Sequence, residues 1–346
     1  MTFVEIIKDR LNNIYDNTHD WNISKNKKRG QSDTFTIYDN VGNPILIAKF
    51  FDYLKDLKKG LKSKELNSYR NLDELIENID FLDGIDDVVF NIDELIDIIL
   101  LEQRCFKRYV HVCNMSNLGC FPKIIYSESE LRINDSFYGF LIEEYVNGVT
   151  IEEQLPFSEN IDKSKKTFDF LLQLGIIVEK LSSNGVVHRD ISPDNVMSKE
   201  NTYIVIDPGM VKMTDDNFNT KSRMILGKYF YASPEQYFGN AKIATFKSDL
   251  YALGVISLEM ILGYNPLEKI IKCENKVSSP HIELLKKLDR EIEDDYYDEV
   301  SENEFTSRLL LIIKKLLQVE DELRFDSVAS FLSSLNNLKE SVDKVD

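Results

Sequence analysis

The feature that most constrains this chain is a short loop that carries an acid and an amide and runs directly into a strand. The loop, Val187 to Val196, reads VHRDISPDNV and places Asp190 and Asn195 five residues apart. A second apolar strand, 203–206, ends at Asp207. Carboxylate and amide oxygens at the ends of such strands are the hard ligands that Mg²⁺ prefers. The same groups suit the orientation of a hydroxyl toward a phosphate.

The pattern of apolar residues predicts a β-rich front and a helical back. The runs that predict strands in the front lie at 34–38, 45–51, 123–126 and 137–144. Residues 91–112 carry a helical apolar stripe, and from Ile151 onward the pattern is mostly helical. We therefore expect an α+β fold, with a small β-rich part that has one main helix and a larger α-helical part.

This pattern divides the chain into an N-terminal extension, 1–20, a first part, 21–146, and a second part, 147–346. The extension has one apolar stripe at helical spacing, formed by Phe3, Ile6, Ile7, Leu11 and Ile14. The stripe predicts a helix packed on the main body, with a docking helix for a partner as the alternative.

Residues 52–89 read as an insertion in the first part, lysine-rich at first and acidic afterwards. Apolar residues in its beginning predict a helix there; they are Tyr53, Leu54, Leu57 and Leu61. Charge runs of this kind usually form solvated faces. A regulatory partner, if the chain has one, is expected at this insertion or at the N-terminal helix.

Charge and cysteine content exclude several classes of function. A formal net charge of −17 argues against nucleic acid or an anionic membrane as the main partner, because both require a basic face. The four cysteines form no C-x-x-C pair, which fits a reducing compartment. The N-terminus lacks the long apolar core of a secretory signal, and the apolar stretch 252–264 is too short to span a bilayer. We expect a cytoplasmic protein without a membrane anchor.

Taken in their order, these motifs make the chain resemble the eukaryotic-like, bacterial-type serine/threonine protein kinase superfamily over roughly residues 21–335. The resemblance implies a bilobal protein-kinase-like fold. It implies transfer of the γ-phosphate of ATP to Ser/Thr hydroxyls of proteins, including the chain itself, with an unidentified protein substrate. ATP and Mg²⁺ are the implied cofactors, with Mn²⁺ as an alternative ion.

The resemblance gives the loop residues their roles. Asp190 would be the catalytic base, while Asn195 and Asp207 would hold Mg²⁺. Arg189 precedes the base and implies control by a phosphate on the activation segment. The residues that could carry this phosphate are Thr214, Thr220 and Ser222.

One departure from the family pattern concerns the γ-phosphate. Ser192 stands where most serine/threonine kinases have a lysine that touches this phosphate. Lys228 stands where they have the threonine that binds that lysine. The two residue types are thus exchanged, and we hypothesise that Lys228 reaches back to supply the missing positive charge.

In the first part, the segment 45–49 resembles the strand whose lysine binds the α- and β-phosphates, which makes Lys49 that lysine. Glu102 is expected to position it from the helix. Glu94 is the alternative, because the insertion blurs the register. Of the three phosphate-loop glycines of the family, Gly30 alone remains.

The segment between the two parts resembles the hinge that binds adenine. Backbone groups of Glu144 and Val146 would contact the base. Glu143 would occupy the gatekeeper position, where a carboxylate has to be paired or hydrated. In the second part, Glu235 is expected to pair with Arg324, and Asp249 is expected to hold the catalytic loop.

Two other functions remain open. A catalytically weak pseudokinase scaffold is favoured by the reduced glycine loop and by Ser192, and is opposed by the retained Lys49, Asp190, Asn195 and Asp207. A kinase-like enzyme that acts on a small molecule or transfers AMP is opposed by Glu235 and Asp249, since such enzymes generally lack these elements.

The exchange of Ser192 and Lys228 leads to a first prediction. Lys228→Met should reduce turnover far more than Lys221→Met, because only the former would remove a charge from the γ-phosphate. Steady-state rates with Mg-ATP measure this difference. Equal, small effects of the two substitutions would contradict the role of Lys228.

Overall fold

The chain divides after Asn147 in the computed structural model, giving one unit of residues 1–147 and a second of 148–346. The division lies one residue after the predicted boundary. The residues that the structure describes are 2–16, 18, 20–27, 32–55, 57–59, 66–81, 91–159, 162–199, 202–213, 228–238, 243–273, 279–294 and 304–342.

Alternating apolar residues build an antiparallel sheet in the first unit. Over the described residues its strand order is β1-β2-β3-β5-β4. The strands are β1 (Asn22–Lys25), β2 (Asp33–Tyr38), β3 (Pro44–Asp52), β4 (Ile124–Ile133) and β5 (Ser136–Glu144). The four predicted strands are confirmed. β1 was not predicted, because its sequence NISK has no apolar alternation and its pairing with β2 is a tertiary contact.

The turn between β2 and β3 is held by one side chain. Asp39 Oδ1 accepts the backbone N–H groups of Val41 and Asn43, at 3.0 and 2.8 Å. Gly42 has φ +92°, a conformation in which a side chain would be strained. Residues 40–43 therefore form the turn that joins β2 to β3.

The N-terminal extension forms α1 (Phe3–Ile14), which begins with a capping box between Thr2 and Glu5. Its stripe is buried against one face of the sheet, with Ile7 fully inaccessible to solvent. The Phe3 ring centroid lies 4.6 Å from that of Phe50 on β3. The expectation of a helix packed on the main body is confirmed.

The main helix of this unit, α3 (Ile92–Cys113), begins after its N-cap, Asn91. It packs in a second apolar cluster, separate from the one that contains α1. It lies so close to β5 that a Cβ at Gly139 would be 2.5 Å from the Phe106 ring. Only a residue without a side chain fits there. The predicted helix 91–112 is confirmed.

The described part of the insertion adds to the core of the first unit. It contains α2 (Leu72–Glu77) and the 3₁₀ turns Leu57–Lys59, Leu66–Ser68 and Ile79–Phe81. Its buried apolar residues pack with α3; they are Tyr53, Leu54, Leu57, Leu66, Leu72, Leu75 and Ile79. These apolar residues of the described part of the insertion are thus core rather than a solvated face.

The predicted helix at the start of the insertion is wrong over the described residues. The Asp52 carboxylate accepts the Leu54 N–H at 3.0 Å and turns the chain as β3 ends. A 3₁₀ turn, Leu57–Lys59, follows instead of an α-helix. The apolar spacing reflects burial against α3, and Leu61 lies outside the described residues.

The second unit is mostly helical, as predicted. Its described helices are α4 (Ile151–Gln154), α5 (Lys163–Ser183), α6 (Pro234–Tyr237), α7 (Phe246–Leu262), α8 (Pro266–Cys273), α9 (Pro280–Asp294), α10 (Glu304–Leu316) and α11 (Val328–Val342). Its short strands are β6 (Val149–Thr150), β7 (Val186–Val187), β8 (Val196–Lys199), β9 (Thr202–Val205) and β10 (Lys212–Met213).

Helix α7 is the core of this unit, since almost every residue along it is buried, as expected for a helix that is apolar all round. Among the described residues no single helix is long and apolar enough to cross a bilayer, and α7 passes that test only together with α8, from which it is bent by 91°.

The burial of α1 leads to a prediction about stability. Ile7→Ala should lower the free energy of unfolding by about 2 to 5 kcal/mol, because it removes buried apolar atoms and leaves a cavity. Lys8→Ala, on the exposed side of the helix, should change it by less than about 0.5 kcal/mol. Urea unfolding of both variants measures the difference, and similar values would show that the stripe is not packed.

Candidate active site

The loop of residues 187–196 in the second unit is held by a buried carboxylate. Asp249, in the first turn of α7, accepts the backbone N–H groups of His188 and Arg189, both at 2.8 Å. Burial raises the pKa of Asp249 to about 7, and the two N–H donors oppose that shift. Burial lowers the pKa of His188 to about 3, so its ring is neutral. The expectation that Asp249 holds this loop is confirmed.

Arg189 links the loop to the segment that follows β9. Its backbone is left-handed, with φ +66°, which is uncommon for a residue with a side chain. Its guanidinium donates to the carbonyl groups of Met210 at 2.8 Å and Val211 at 3.3 Å. The candidate phosphate acceptors Thr214, Thr220 and Ser222 lie outside the described residues, so control by phosphate stays a prediction.

The loop and β9 bring Asp190, Asn195 and Asp207 together. The Asn195 Nδ2 donates to the carbonyl and the Oδ2 of Asp190, both at 3.0 Å. The Ile206 N–H donates to the Asn195 carbonyl at 2.8 Å, which places Asp207 beside the loop. Asp207 has φ +59°, and a Cβ at Gly209 would lie 3.2 Å from its Oδ1. The strand ends therefore present these groups as the sequence predicts.

The electrostatics of this cluster favour a cation. Burial, and then the charge of Asp207, raise the pKa of Asp190 to about 7, while Lys228 and Asn195 oppose the shift. Because the amide nitrogen of Asn195 is directed at Asp190, its Oδ1 is the atom that could bind a metal. Two neighbouring carboxylates and an amide oxygen fit Mg²⁺. The described residues hold no group of three or more His, Cys, Asp or Glu side chains placed for a metal, so a metal here would depend on the amide.

Lys228 also reaches this cluster. Its backbone N–H donates to Asp190 Oδ1 at 2.9 Å, and its ammonium forms an ion pair with Asp194. The Ser192 hydroxyl donates to Asp194 Oδ1 at 2.8 Å. Asp194 thus joins the two exchanged positions, and the sequence reasoning missed it. The available signal was an acid two residues after Ser192 on the same loop.

In the first unit, three side chains form a closed hydrogen-bonded ring. Lys49 Nζ lies 2.8 Å from Glu143 Oε1 and donates to the Tyr109 hydroxyl at 2.7 Å. The Tyr109 hydroxyl donates to Glu143 Oε2 at 2.7 Å. Glu143 is 3% exposed and Lys49 is 8% exposed. Glu143 is thus paired, as the cost of burying a carboxylate requires.

Glu102 lies on α3, where its charge acts on Tyr53. Burial, and then the charges of Glu130 and Glu102, raise the pKa of Tyr53 far above its ordinary value. The predicted role of Glu102 as the partner of Lys49 stays a prediction.

The remaining predicted nucleotide contacts in the described part of the chain are Glu144, the last residue of β5, and Val146, two residues later. The N–H groups of Glu144 and Tyr145 donate to the carbonyls of Lys123 and Ile45, both at 3.0 Å, and define the chain path that leads to Val146. Gly30 and Lys28 lie outside the described residues. Asp33, the third glycine position of the expected phosphate loop, pairs with Lys25 at 2.8 Å.

A buried ion pair fixes the segment after the active-site loops. Arg324, 1% exposed, donates to both carboxylate oxygens of Glu235, each at 3.0 Å. The same guanidinium donates to backbone carbonyls that include those of Gln318 and Lys247. The predicted pair of Glu235 and Arg324 is confirmed.

Comparison with known proteins decides the family. Residues 105–334 match the protein kinase domain. The chain belongs to the protein kinase family. The match includes Asp190, Asn195, Asp207 and Lys228 of this kinase-family chain, and begins after Lys49 and Glu102.

Three curated relatives that this kinase-family chain resembles are bacterial proteins. Serine/threonine-protein kinase PrkC of Bacillus subtilis is 32% identical over 148 residues, 42% of this chain and 22% of PrkC. Probable serine/threonine-protein kinase PknB of Lactococcus lactis is 29% identical over 131 residues, 37% of this chain and 20% of PknB. A probable serine/threonine-protein kinase of Clostridium perfringens is 29% identical over 169 residues, 47% of this chain and 23% of that protein. The matched region therefore spans about a fifth of the length of these relatives.

The pair of Glu235 and Arg324 leads to a prediction about pH. Burial raises the pKa of Glu235, but the Arg324 guanidinium more than compensates and leaves it below 4.5. A lowered folded pKa means that the stabilisation is complete above 4.5 and is lost as the pH falls through the folded value. Glu235→Gln should cost about 3 to 5 kcal/mol near pH 7, because it leaves Arg324 buried without its counter-charge.

Thermal unfolding of wild type and Glu235→Gln from about pH 7 to about pH 3 measures the stabilisation that the ion pair contributes at each pH. The gap between their midpoints should narrow at acid pH. Glu322→Gln, an exposed carboxylate, serves as the control and should follow the wild type. A gap that stays constant at all pH values would contradict the ion-pair account.

Proposed function

We propose that this chain is a serine/threonine protein kinase that transfers the γ-phosphate of Mg-ATP to Ser or Thr hydroxyls of proteins, itself included. The observation that carries the proposal is the cluster formed by Asp190 and Asn195, on a loop held by Asp249, and by Asp207, which follows β9. Membership of the protein kinase family and relatives named serine/threonine-protein kinases support it.

Asp190 is the proposed catalytic base. Each of its carboxylate oxygens already accepts a bond, Oδ1 from the Lys228 N–H and Oδ2 from Asn195, so the carboxylate has a defined orientation. A substrate hydroxyl would donate to this carboxylate and be directed at the phosphate.

Asn195 Oδ1 and the Asp207 carboxylate are the proposed ligands of Mg²⁺. The metal, when bound, would neutralise charge on the phosphates. The neighbouring charges support this assignment, because the charge of Asp207 raises the pKa of Asp190 and a bound cation would oppose that repulsion.

Lys49 is the proposed contact to the α- and β-phosphates, with Glu102 as a positioning residue from α3. The backbone groups of Glu144 and Val146 are proposed to bind adenine, and Gly30 to approach the phosphates. Burial of Lys49 supports its role, because an ammonium with few competing waters binds an anion strongly.

Lys228 is proposed to take the place of the missing lysine at Ser192. Burial lowers the pKa of Lys228, and the charges of Asp190 and Glu152 oppose this. Its ion pair with Asp194 keeps the ammonium at the 187–196 loop. There a γ-phosphate could replace the Asp194 carboxylate as the partner of the ammonium, or bind the ammonium beside it. Ser192 would contribute indirectly, through its bond to Asp194.

A pseudokinase scaffold is the second candidate. The Ser192 hydroxyl is bonded to Asp194, so position 192 offers neither a charge nor an uncommitted hydroxyl proton to a phosphate. This candidate predicts that the chain binds Mg-ATP without transferring phosphate.

Labelled ATP separates these functions. Wild type should incorporate label from the γ-position in the presence of Mg²⁺, and Asp190→Ala should be slower by about 10²- to 10⁴-fold, the usual contribution of a catalytic base. Phosphoamino-acid analysis should find phosphoserine or phosphothreonine. Incorporation of label from the α-position would indicate AMP transfer instead.

Thermal shift with Mg-ATP supplies the control for binding. Wild type and Asp190→Ala should be stabilised by Mg-ATP, because ligand binding to the folded state raises its unfolding midpoint. Asp207→Ala should lose much of that shift. Stabilisation of wild type without any phosphate transfer would overturn the kinase proposal in favour of the scaffold.

A further inference from the structure

The ring of Lys49, Tyr109 and Glu143 joins three separate elements of the first unit. Lys49 lies on β3, Glu143 on β5 and Tyr109 on α3. In the strand pairing, Glu143 is opposite Ile47 and Lys49 is opposite Leu141. Lys49 and Glu143 are therefore diagonal neighbours on one face of adjacent strands, a spacing that long side chains can bridge.

The chemistry of the ring defines its direction. The Tyr109 hydroxyl has one proton, which it donates to Glu143 Oε2, so its oxygen accepts from Lys49. The Lys49 ammonium approaches the other oxygen, Glu143 Oε1, directly. Glu143 Oε1 and the phenol oxygen of Tyr109 thus both face the ammonium group, while Glu143 Oε2 orients the phenol.

Because the three side chains are buried, breaking the hydrogen bonds of the ring would cost free energy. Tyr109 is fully buried and Glu143 is nearly so. An unpaired carboxylate at this depth would pay its full desolvation cost, whereas the ring compensates it with charge-assisted bonds. The ammonium is therefore held by the rigid centre of the sheet as well as by the helix.

We propose that Glu143, together with Tyr109, is a positioning residue for Lys49 and holds its ammonium for binding of the nucleotide phosphates. This inference rests on the proposed function, in which Lys49 contacts the α- and β-phosphates. It adds an anchor on β5 to the expected one at Glu102 on α3, and gives the carboxylate at the gatekeeper position a function.

The first test is binding of Mg-ATP by isothermal titration calorimetry. Glu143→Gln should raise the Kd about 10- to 100-fold, the effect of losing a hydrogen bond to a charged group. Tyr109→Phe should also raise the Kd for Mg-ATP. Glu77→Gln, the same substitution at an exposed residue of α2, should leave the Kd unchanged.

In turnover assays, the loss in Glu143→Gln should appear mainly in KM for ATP, and Glu143→Asp should restore part of it. Binding of Mg-ATP by Glu143→Gln that equals or exceeds that of wild type would overturn the proposal. Glu143 would then compete with phosphate for Lys49 rather than position it.

A double-mutant cycle separates positioning from a merely structural role. If Glu143 acts through Lys49, the Kd of Lys49→Met/Glu143→Gln should equal that of Lys49→Met alone. Lys49→Met should also lower the unfolding midpoint, because it leaves Glu143 buried without its counter-charge, and the added Glu143→Gln should recover part of that loss. Additive losses in Kd and in midpoint would overturn the proposal.

These measurements also distinguish the two proposals from each other. Binding and unfolding need no phosphate transfer, so a chain that binds Mg-ATP through Lys49 and Glu143 without transferring phosphate would retain this inference and lose the kinase function. If wild type transfers phosphate while Glu143→Gln binds Mg-ATP as Glu77→Gln does, the kinase function is retained and this inference is lost.

Discussion

The contact on which the geometry of the candidate active site depends is that of the Asp249 carboxylate with two consecutive backbone N–H groups of the 187–196 loop. Asp249 belongs to α7, the most completely buried helix of the second unit. A loop bound to that helix has its position defined by the core rather than by solvent. The left-handed backbone of Arg189 is tolerated because these bonds compensate its strain. The position of Asp190, the next residue, is therefore restricted by the same contact.

Buried ion pairs extend the same principle to both units. Arg324 and Glu235 tie the segment after Lys228 to the connection between α10 and α11, while Lys49 and Glu143 tie adjacent strands together. Such pairs do not add much net stability, because desolvation of the charges offsets their attraction. Their effect is on geometry, since a buried charge has few low-energy positions other than beside its partner. The second pair thus restricts Lys49, for which a role in nucleotide binding is proposed.

The parts of the site that could be predicted from the sequence are those that lie close together along the chain. Asp190 and Asn195 share one loop, and Asp207 follows the next strand, so a hairpin is enough to bring them together. The role of Asp194 could not be read in this way, because its partner Lys228 is remote in sequence. The ring of Lys49, Tyr109 and Glu143 likewise draws on three elements whose separation depends on the packing of α3 against the sheet. The misassigned helix after β3 has a similar cause, since its apolar spacing served burial rather than a helical stripe.

The sequence by itself determined the fold class, the order of the main strands and helices, and the acids and amide of the catalytic loop. Each of these depends on local periodicity or on contiguous motifs, which are properties of neighbouring residues. Only the tertiary structure decided that Glu143 meets Lys49, that Asp194 meets Lys228 and that the insertion completes the core around α3. These contacts depend on distances between elements far apart in the chain, which are set by packing and by the need to pair buried charges.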